Sequence, residues 1–199
     1  MNMVCLDLEG VLVPEIWIEF SKAVGIPELR RTTRDEPDYD KLMNFRLDIL
    51  KNNNLKLPDI QKVISGMEPL EGALEFANTL REKTQLVILS DTFEQFAKPL
   101  MKKLSWPSLF CNTLTVAGDG TVTGYKLRQQ DGKKEAIKAF KSMKMRICAA
   151  GDSFNDLAMI READAGCLFC APEQIRKDCS DLKCFDTYKD LLTEIDNFL

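Results

Sequence analysis

The 199-residue sequence contains no histidine, which removes histidine bases, histidine metal ligands and any Ser-His-Asp arrangement together. Its seven cysteines are an odd number, and only Cys167 and Cys170 fall in a C-x-x-C spacing. Without a second pair or a histidine, that spacing argues against a zinc site. Cys5, Cys148, Cys167 and Cys170 lie in apolar runs and read as small packing residues. There is no basic excess either: 27 Lys and Arg face 31 Asp and Glu, a net charge of −4. That balance argues against a nucleic-acid surface. No apolar run approaches bilayer length, so no membrane partner is expected. Met1-Asn2-Met3 leads directly into an apolar run with no basic n-region or cleavage site, so the expectation is no secretion signal and a cytoplasmic location. Repeats and low-complexity tracts are missing as well.

What is present begins at Val4-Cys5-Leu6-Asp7-Leu8-Glu9-Gly10-Val11-Leu12. A near-continuous apolar run is the signature of a parallel strand covered on both faces, and open α/β sheets gather ligands at the carboxyl ends of such strands. Two more runs end the same way: Leu86-Val87-Ile88-Leu89 enters Ser90-Asp91-Thr92, and Arg146 to Ala150 enters Gly151-Asp152-Ser153-Phe154-Asn155-Asp156. In a parallel sheet the three ends share one edge, so Asp7, Glu9, Ser90, Asp152 and Asp156 are expected to converge.

Between the first and second of these strands, residues 14–66 read as helices without a strand. Pro14 is placed at the first position of a helix ending near Gly25; Pro27 and Pro37 break the polar stretch that follows, a helical pattern resumes at Tyr39, and a short helix covers Leu57 to Ile64. This is the pattern of an insertion into an α/β unit. A helix from Phe93 to Leu104 contains Pro99, which implies a lost hydrogen bond or a kink. Leu114 to Val116 and Val122 to Tyr125 flank Gly118-Asp119-Gly120 and read as a hairpin outside the main sheet. Gly166 to Phe169 and Lys183 to Phe185 are two last strands, with a helix opened by Ala171-Pro172 between them and a terminal helix capped by Thr187.

Convergent carboxylates repel one another, and a hard cation such as Mg²⁺, which takes oxygen ligands, resolves the repulsion. Asp7, the backbone carbonyl of Glu9 and Asp152 are the candidate ligands. An aspartate can also attack phosphorus, which makes Asp7 a candidate nucleophile. Glu9 is then either the proton donor and acceptor or a turn residue that offers only its carbonyl. Ser90, the amides after it and a lysine would hold the phosphoryl oxygens, with Lys133 and Lys134 as the two candidates for the cation.

These residues resemble, in order, the four signature motifs of the haloacid-dehalogenase-like superfamily: Asp7-x-Glu9-Gly10-Val11-Leu12, Ser90 at a strand end, Lys133 before a helix, and Gly151-Asp152-x-x-Asn155-Asp156. The resemblance spans the chain. It implies a Rossmann-like parallel sheet core over 1–13 and 67–199 and an inserted small helical cap domain over 14–66. Within the superfamily the chain most resembles the phosphoserine phosphatase family, in its variant that moves phosphate from phosphoserine to homoserine. By that resemblance Asp7 is the nucleophile, Ser90 and Lys133 hold phosphate, Asp152 completes the Mg²⁺ site and Asp156 supports it. Glu15 and Arg46 match the cap residues that hold the substrate's ammonium and carboxylate, and Asn155 matches a phosphate-side contact. Two positions depart from the usual pattern: Glu9 replaces an aspartate, as in the homoserine-directed variant, and Asp91 replaces a glycine beside the phosphate.

The implied protein is an Mg²⁺-dependent phosphatase of amino-acid biosynthesis acting through an aspartyl phosphate on a small-molecule substrate. The alternatives are a phosphatase for another small phosphorylated metabolite and a receiver-type phosphoacceptor domain, which also combines an aspartate, a metal, a hydroxyl and a lysine. A receiver carries no helical insertion over its acceptor. Oligomeric state has no signature in the sequence.

Overall fold

The computed structural model describes residues 1–33, 35–36 and 38–199; Pro37, expected to break the stretch after Gly25, lies outside the described residues. In chain order the elements are β1 (Asn2–Leu6), α1 (Ile16–Val24), α2 (Tyr39–Asn52), α3 (Leu57–Gly66), α4 (Ala73–Lys83), β2 (Gln85–Phe93), α5 (Glu94–Lys103), β3 (Ser108–Val116), β4 (Val122–Lys126), α6 (Gly132–Ser142), β5 (Arg146–Gly151), α7 (Leu157–Glu162), β6 (Ala165–Phe169), α8 (Glu173–Asp178), β7 (Lys183–Phe185) and α9 (Tyr188–Phe198). Among the described residues the strands form one sheet in the order β4-β3-β2-β1-β5-β6-β7, parallel except for the β3/β4 pair.

The strand order reverses about β1, which carries β2 on one side and β5 on the other: Leu6 is in register with both Ile88 and Ala150. Both faces of β1 are covered, and its residues alternate between two cores. Val4 and Leu6 join Phe76 and Leu80 of α4 and Leu191 and Ile195 of α9. Met3 and Cys5 join Ala136 and Ile137 of α6 and Met159 and Ile160 of α7. Each large side chain fully withdrawn from water there contributes about 1.5–3 kcal/mol.

Four sequence expectations change in the structure. Pro14 does not open α1; Glu15 stands at the N-cap position and the helix begins at Ile16. Strand β2 does not stop at Leu89 but runs to Phe93, with its pairing to β3 slipping between those two residues. The hairpin does not lie outside the main sheet: the first half of β3, Ser108 to Asn112, pairs with β2, and only its second half pairs with β4. Cys170 is not a packing residue; it takes a left-handed backbone (φ 49°) and is exposed.

Helices α1 to α3 form a small cap above the carboxyl edge of the sheet, and the β3/β4 hairpin reaches up to meet it. Leu57 N–H donates to the Gly120 carbonyl at 2.9 Å, Lys56 Nζ meets Asp119 Oδ2 at 2.8 Å, and the Tyr39 and Tyr125 rings meet edge to face at 5.7 Å. Pro99 is accommodated within α5, and the hydrogen bond it costs is made good from the cap. Proline cannot donate to the Gln95 carbonyl four residues earlier, and Gln61 Nε2 of α3 donates to that oxygen at 3.0 Å.

Candidate active site

The carboxyl edge beneath the cap holds a cavity of about 80 Å³. Asp7 enters it one residue beyond β1, where its amide still donates to Ala150 O of β5 at 3.0 Å. Asp152 follows β5, Ser90 stands where the β2/β3 register slips, and Lys133 projects from the first turn of α6. Glu9, Asp91 and Asn155 share the cavity, and from the cap come Glu15 and Arg46. Residues far apart in sequence thus meet because β1 and β5 end, and β2 slips in its pairing with β3, at one edge; Ser90 lies within β2 and not at its end.

Lys133 is the centre of its charge. Its Nζ lies 2.9 Å from Asp7 Oδ1, 2.6 Å from Asp156 Oδ1 and 3.7 Å from Asp91 Oδ2. Burial works against the ammonium, but Asp156, Asp7 and Asp91 together outweigh it and hold its pKa above the ordinary lysine value. Helix period sets the two lysines apart: Lys133 shares the buried face of α6 with Ala136, Ile137 and Phe140. Lys134 faces a neighbouring cavity instead.

Asp156 does not line the cavity. It is wholly buried beneath it, and its second oxygen accepts from the Asp152 amide at 3.1 Å, the Ser153 amide at 3.0 Å and the Ser153 hydroxyl at 3.0 Å. Its two oxygens therefore fix Lys133 and the Asp152 loop in place. The loop closes this tightly because residue 151 is glycine: a Cβ there would meet the Asp156 carboxylate at 2.3–2.6 Å.

Asp7, Asp152 and Asp156 each offer a carboxylate oxygen within 4.8 Å of the others, and all three are buried. The Asp7 carboxyl is held well above the usual carboxylate range by burial first and then by Asp156, with Asp152 adding to it and Lys133 opposing. Three clustered carboxylates facing one ammonium are a donor set suited to a hard divalent cation. Gly10 belongs to this cluster. Its backbone is left-handed (φ 77°), and a Cβ would sit 2.5 Å from Asp152 Oδ2. Gly10→Ala is expected to push Asp152 aside and to cut turnover about tenfold or more, together with a loss of roughly 1 kcal/mol from the strained backbone. Steady-state rates and thermal unfolding check this; unchanged turnover would contradict it.

Glu9 turns away from that cluster toward the cap. Its Oε2 accepts from the Ile16 amide at 2.8 Å, so it caps the amino end of α1 where Glu15 does not. Burial, and next the nearby Glu15, push its pKa up to about 7, against the Ile16 amide, Arg46 and the Thr92 hydroxyl. Such a group exchanges protons readily near neutrality.

Arg46 is 6% exposed. Its guanidinium lies 4.6 Å over the Trp17 ring, and Nη2 donates to Arg31 O at 2.7 Å. Nε is buried without a hydrogen-bond partner, and burial lowers the pKa to about 10. Among the described residues no carboxylate forms an ion pair with it, although Glu9 and Glu15 are near enough to favour its charge.

Sequence reasoning missed Trp17, Tyr39 and Thr92, which also line the cavity. Tyr39 and Arg46 stand seven apart on one face of α2, a spacing that links them once Arg46 is singled out. Tyr39 joins cap to core: its hydroxyl donates to Asp91 O at 3.1 Å.

A Rossmann-like sheet with a helical cap over an aspartate-lysine-aspartate edge is the architecture of a capped phosphoryl-transfer hydrolase. Residues 1–164 match the family described as haloacid dehalogenase-like hydrolase. Phosphoserine phosphatase ThrH of Pseudomonas aeruginosa is 53% identical over 194 residues, which cover 98% of this chain and 95% of that protein. A phosphoserine phosphatase of Pseudomonas syringae pv. tomato is likewise 53% identical, over 98% of this chain and 82% of its own length. Among solved structures, a phospho-aspartyl intermediate analogue of phosphoserine phosphatase shares the fold with a TM-score of 0.81 at 20% identity, covering 97% of this chain and 98% of that one. The chain belongs to the haloacid dehalogenase-like hydrolases and, within them, to the phosphoserine phosphatase family in its ThrH branch.

Proposed function

We propose that the chain is an Mg²⁺-dependent phosphoserine phosphatase that works through an aspartyl phosphate on Asp7 and also transfers the phosphoryl group to homoserine. The observation that carries the substrate assignment is Arg46, a buried guanidinium stacked on Trp17 and unpaired with any carboxylate among the described residues. Leaving such a charge buried is costly unless a ligand completes it. A carboxylate beside it, with Glu15 lining the same cavity for an ammonium, is the head group of an amino acid. The relatives named phosphoserine phosphatase support the same substrate.

In this reading the cap domain is residues 14–66. An Asp7 oxygen attacks phosphorus as the bond to the serine oxygen breaks, and protonated Glu9 gives that oxygen its proton. Ser90 and the Lys133 ammonium hold the phosphoryl oxygens, and Asn155 stands on the same side. Glu9 then takes a proton from water, whose oxygen attacks phosphorus and frees Asp7 and inorganic phosphate. Homoserine carries the serine head group on a chain one methylene longer, so the Arg46 and Glu15 clamp accepts it and its hydroxyl replaces water in the second step.

Asp7, the Glu9 carbonyl and Asp152 would hold Mg²⁺, with Asp156 behind them. When bound, the ion neutralises charge on the carboxylates and the phosphoryl oxygens. Chelation is expected to abolish turnover without changing the circular dichroism, since the two cores hold the fold independently of the metal. Full turnover in excess chelator would sink the metal assignment. The substrate reading is tested by phosphoserine turnover with and without homoserine: phosphohomoserine formation supports transfer, and free phosphate alone confines the chain to hydrolysis.

A further inference from the structure

A second cavity, about 400 Å³, adjoins the first across the phosphate-holding residues and opens over the β3 and α6 side of the core. Ser90, Asp91, Lys133 and Asn155 line both cavities, and so do Tyr39 and Thr33. At this boundary the wall is made by side chains: Asn155 Nδ2 donates to Asp91 Oδ2 at 2.8 Å, and that same carboxylate oxygen stands 3.7 Å from Lys133. Asn155 is exposed and the Asp91 side chain is 41% exposed, so neither is held by packing. The Asp91 backbone, by contrast, is fixed, its carbonyl accepting from Tyr39 and from Asn112 Nδ2, each at 3.1 Å. The carboxylate can therefore turn while the strand stays in place.

The second cavity carries its own positive charge, Lys134 and an Arg128 guanidinium 5.3 Å over the Phe110 ring, and its outer rim includes the exposed Leu127 and Phe154. The first cavity is too small to pass two products at once and is roofed by the cap. Its two products also differ: an amino acid clamped on the cap side and a phosphate anion on the core side.

We propose that inorganic phosphate leaves through the second cavity, with the Asp91–Asn155 pair as its inner door. The proposal rests on the phosphatase reading above. Asp91 gives the door its direction. While phosphate is bound, Lys133 is shared between two anions, and Asp91 repels the dianion; when phosphate passes, the Asp91 carboxylate takes its place beside Lys133. Lys134 and Arg128 receive the anion on the outer side. A glycine at position 91 would leave the wall open and supply no such exchange.

A route differs from a binding site in one measurable way: narrowing it slows entry and exit in equal proportion and leaves the equilibrium affinity unchanged. Ala158 lines the second cavity only, and so does Lys134. The test is to mix enzyme and inorganic phosphate in Mg²⁺ buffer and follow tryptophan fluorescence, with Trp17 in the first cavity as the responding reporter and the exposed Trp106 as a constant background. Ala158→Phe, which fills the passage, is expected to slow both the association and the release of phosphate at least fivefold with its equilibrium dissociation constant unchanged, and to leave serine release at the wild-type rate. Lys134→Glu adds an acidic residue to the first turn of α6, where it suits the helix, and is expected to slow phosphate in the same way should the phenylalanine disturb folding. Asp91→Asn is expected to tighten phosphate binding about tenfold. Wild-type phosphate rates in both Ala158→Phe and Lys134→Glu, or equal slowing of serine and phosphate, would overturn the proposal. Phosphoserine turnover by the wild type, followed in the same samples, tests the underlying reading separately.

Discussion

Asp7→Asn is expected to lower phosphoserine turnover by about three orders of magnitude or more while the protein remains folded. An amide is nearly isosteric with the carboxylate but is a poor nucleophile. The Asp7 Oδ1 atom accepts from the Leu8 amide at 2.7 Å, and an amide oxygen keeps that contact. Stability is expected to hold or rise. Burial first, then Asp156 and Asp152, push the pKa of the native carboxyl up against the opposing Lys133, so those surroundings work against its charge. Removing the charge removes that penalty. Circular dichroism and the thermal midpoint check the fold, and steady-state assays check the rate. A variant that keeps wild-type turnover, or one that loses activity by unfolding, contradicts this account of Asp7.

Arg46→Ala is expected to lower kcat/KM for phosphoserine by roughly two orders of magnitude or more, because deleting one partner of a desolvated charge pair costs about 2–5 kcal/mol. A small aryl phosphate, lacking the ammonium and carboxylate, is expected to lose little. The contrast matters because Arg46 also packs within the cap, over Trp17 and against Arg31 O. If its role were only to hold the cap together, both substrates would suffer equally. Arg46→Lys keeps the charge but not the planar fork and is expected to fall between alanine and wild type on phosphoserine alone. Glu15→Gln is the companion test, with the same selectivity for the amino-acid substrate.

The parts of the fold legible from sequence are those whose burial is uniform. β1 and β5 are covered on both faces, so they appear as unbroken apolar runs. β3 is only half legible, since one half pairs with β2 and the other with β4. Its first residues, Ser108 to Cys111, alternate between exposed and partly covered, and the glycines of the β3/β4 turn dominate the local pattern. The short 3₁₀ turn at Pro27–Arg30 carries too few residues for any periodicity to emerge.

The same division runs through the site. Asp7, Ser90 and Asp152 could be found because a polar residue ending a buried run stands out, and Lys133 because it stands near a helix start, although it lies in the first turn of α6 and not before it. Only the phase of α6 in the folded chain separates it from Lys134. Trp17 and Tyr39 could not be distinguished from core residues on amphipathic helices, since only the placement of the cap turns those faces toward Asp7. The Asp91–Asn155 hydrogen bond joins residues 64 apart. Nothing local in either segment announces it.

The central claim is that the phosphoryl group rests on Asp7 between donor and acceptor. Its most direct test is an acid quench of the enzyme turning over isotopically labelled phosphoserine, followed by peptide mapping. If Asp7 is the nucleophile, label is recovered as an acyl phosphate on the peptide containing Asp7 and is absent from Asp7→Asn. Label on any other residue, or wild-type turnover that never labels the protein, contradicts the claim.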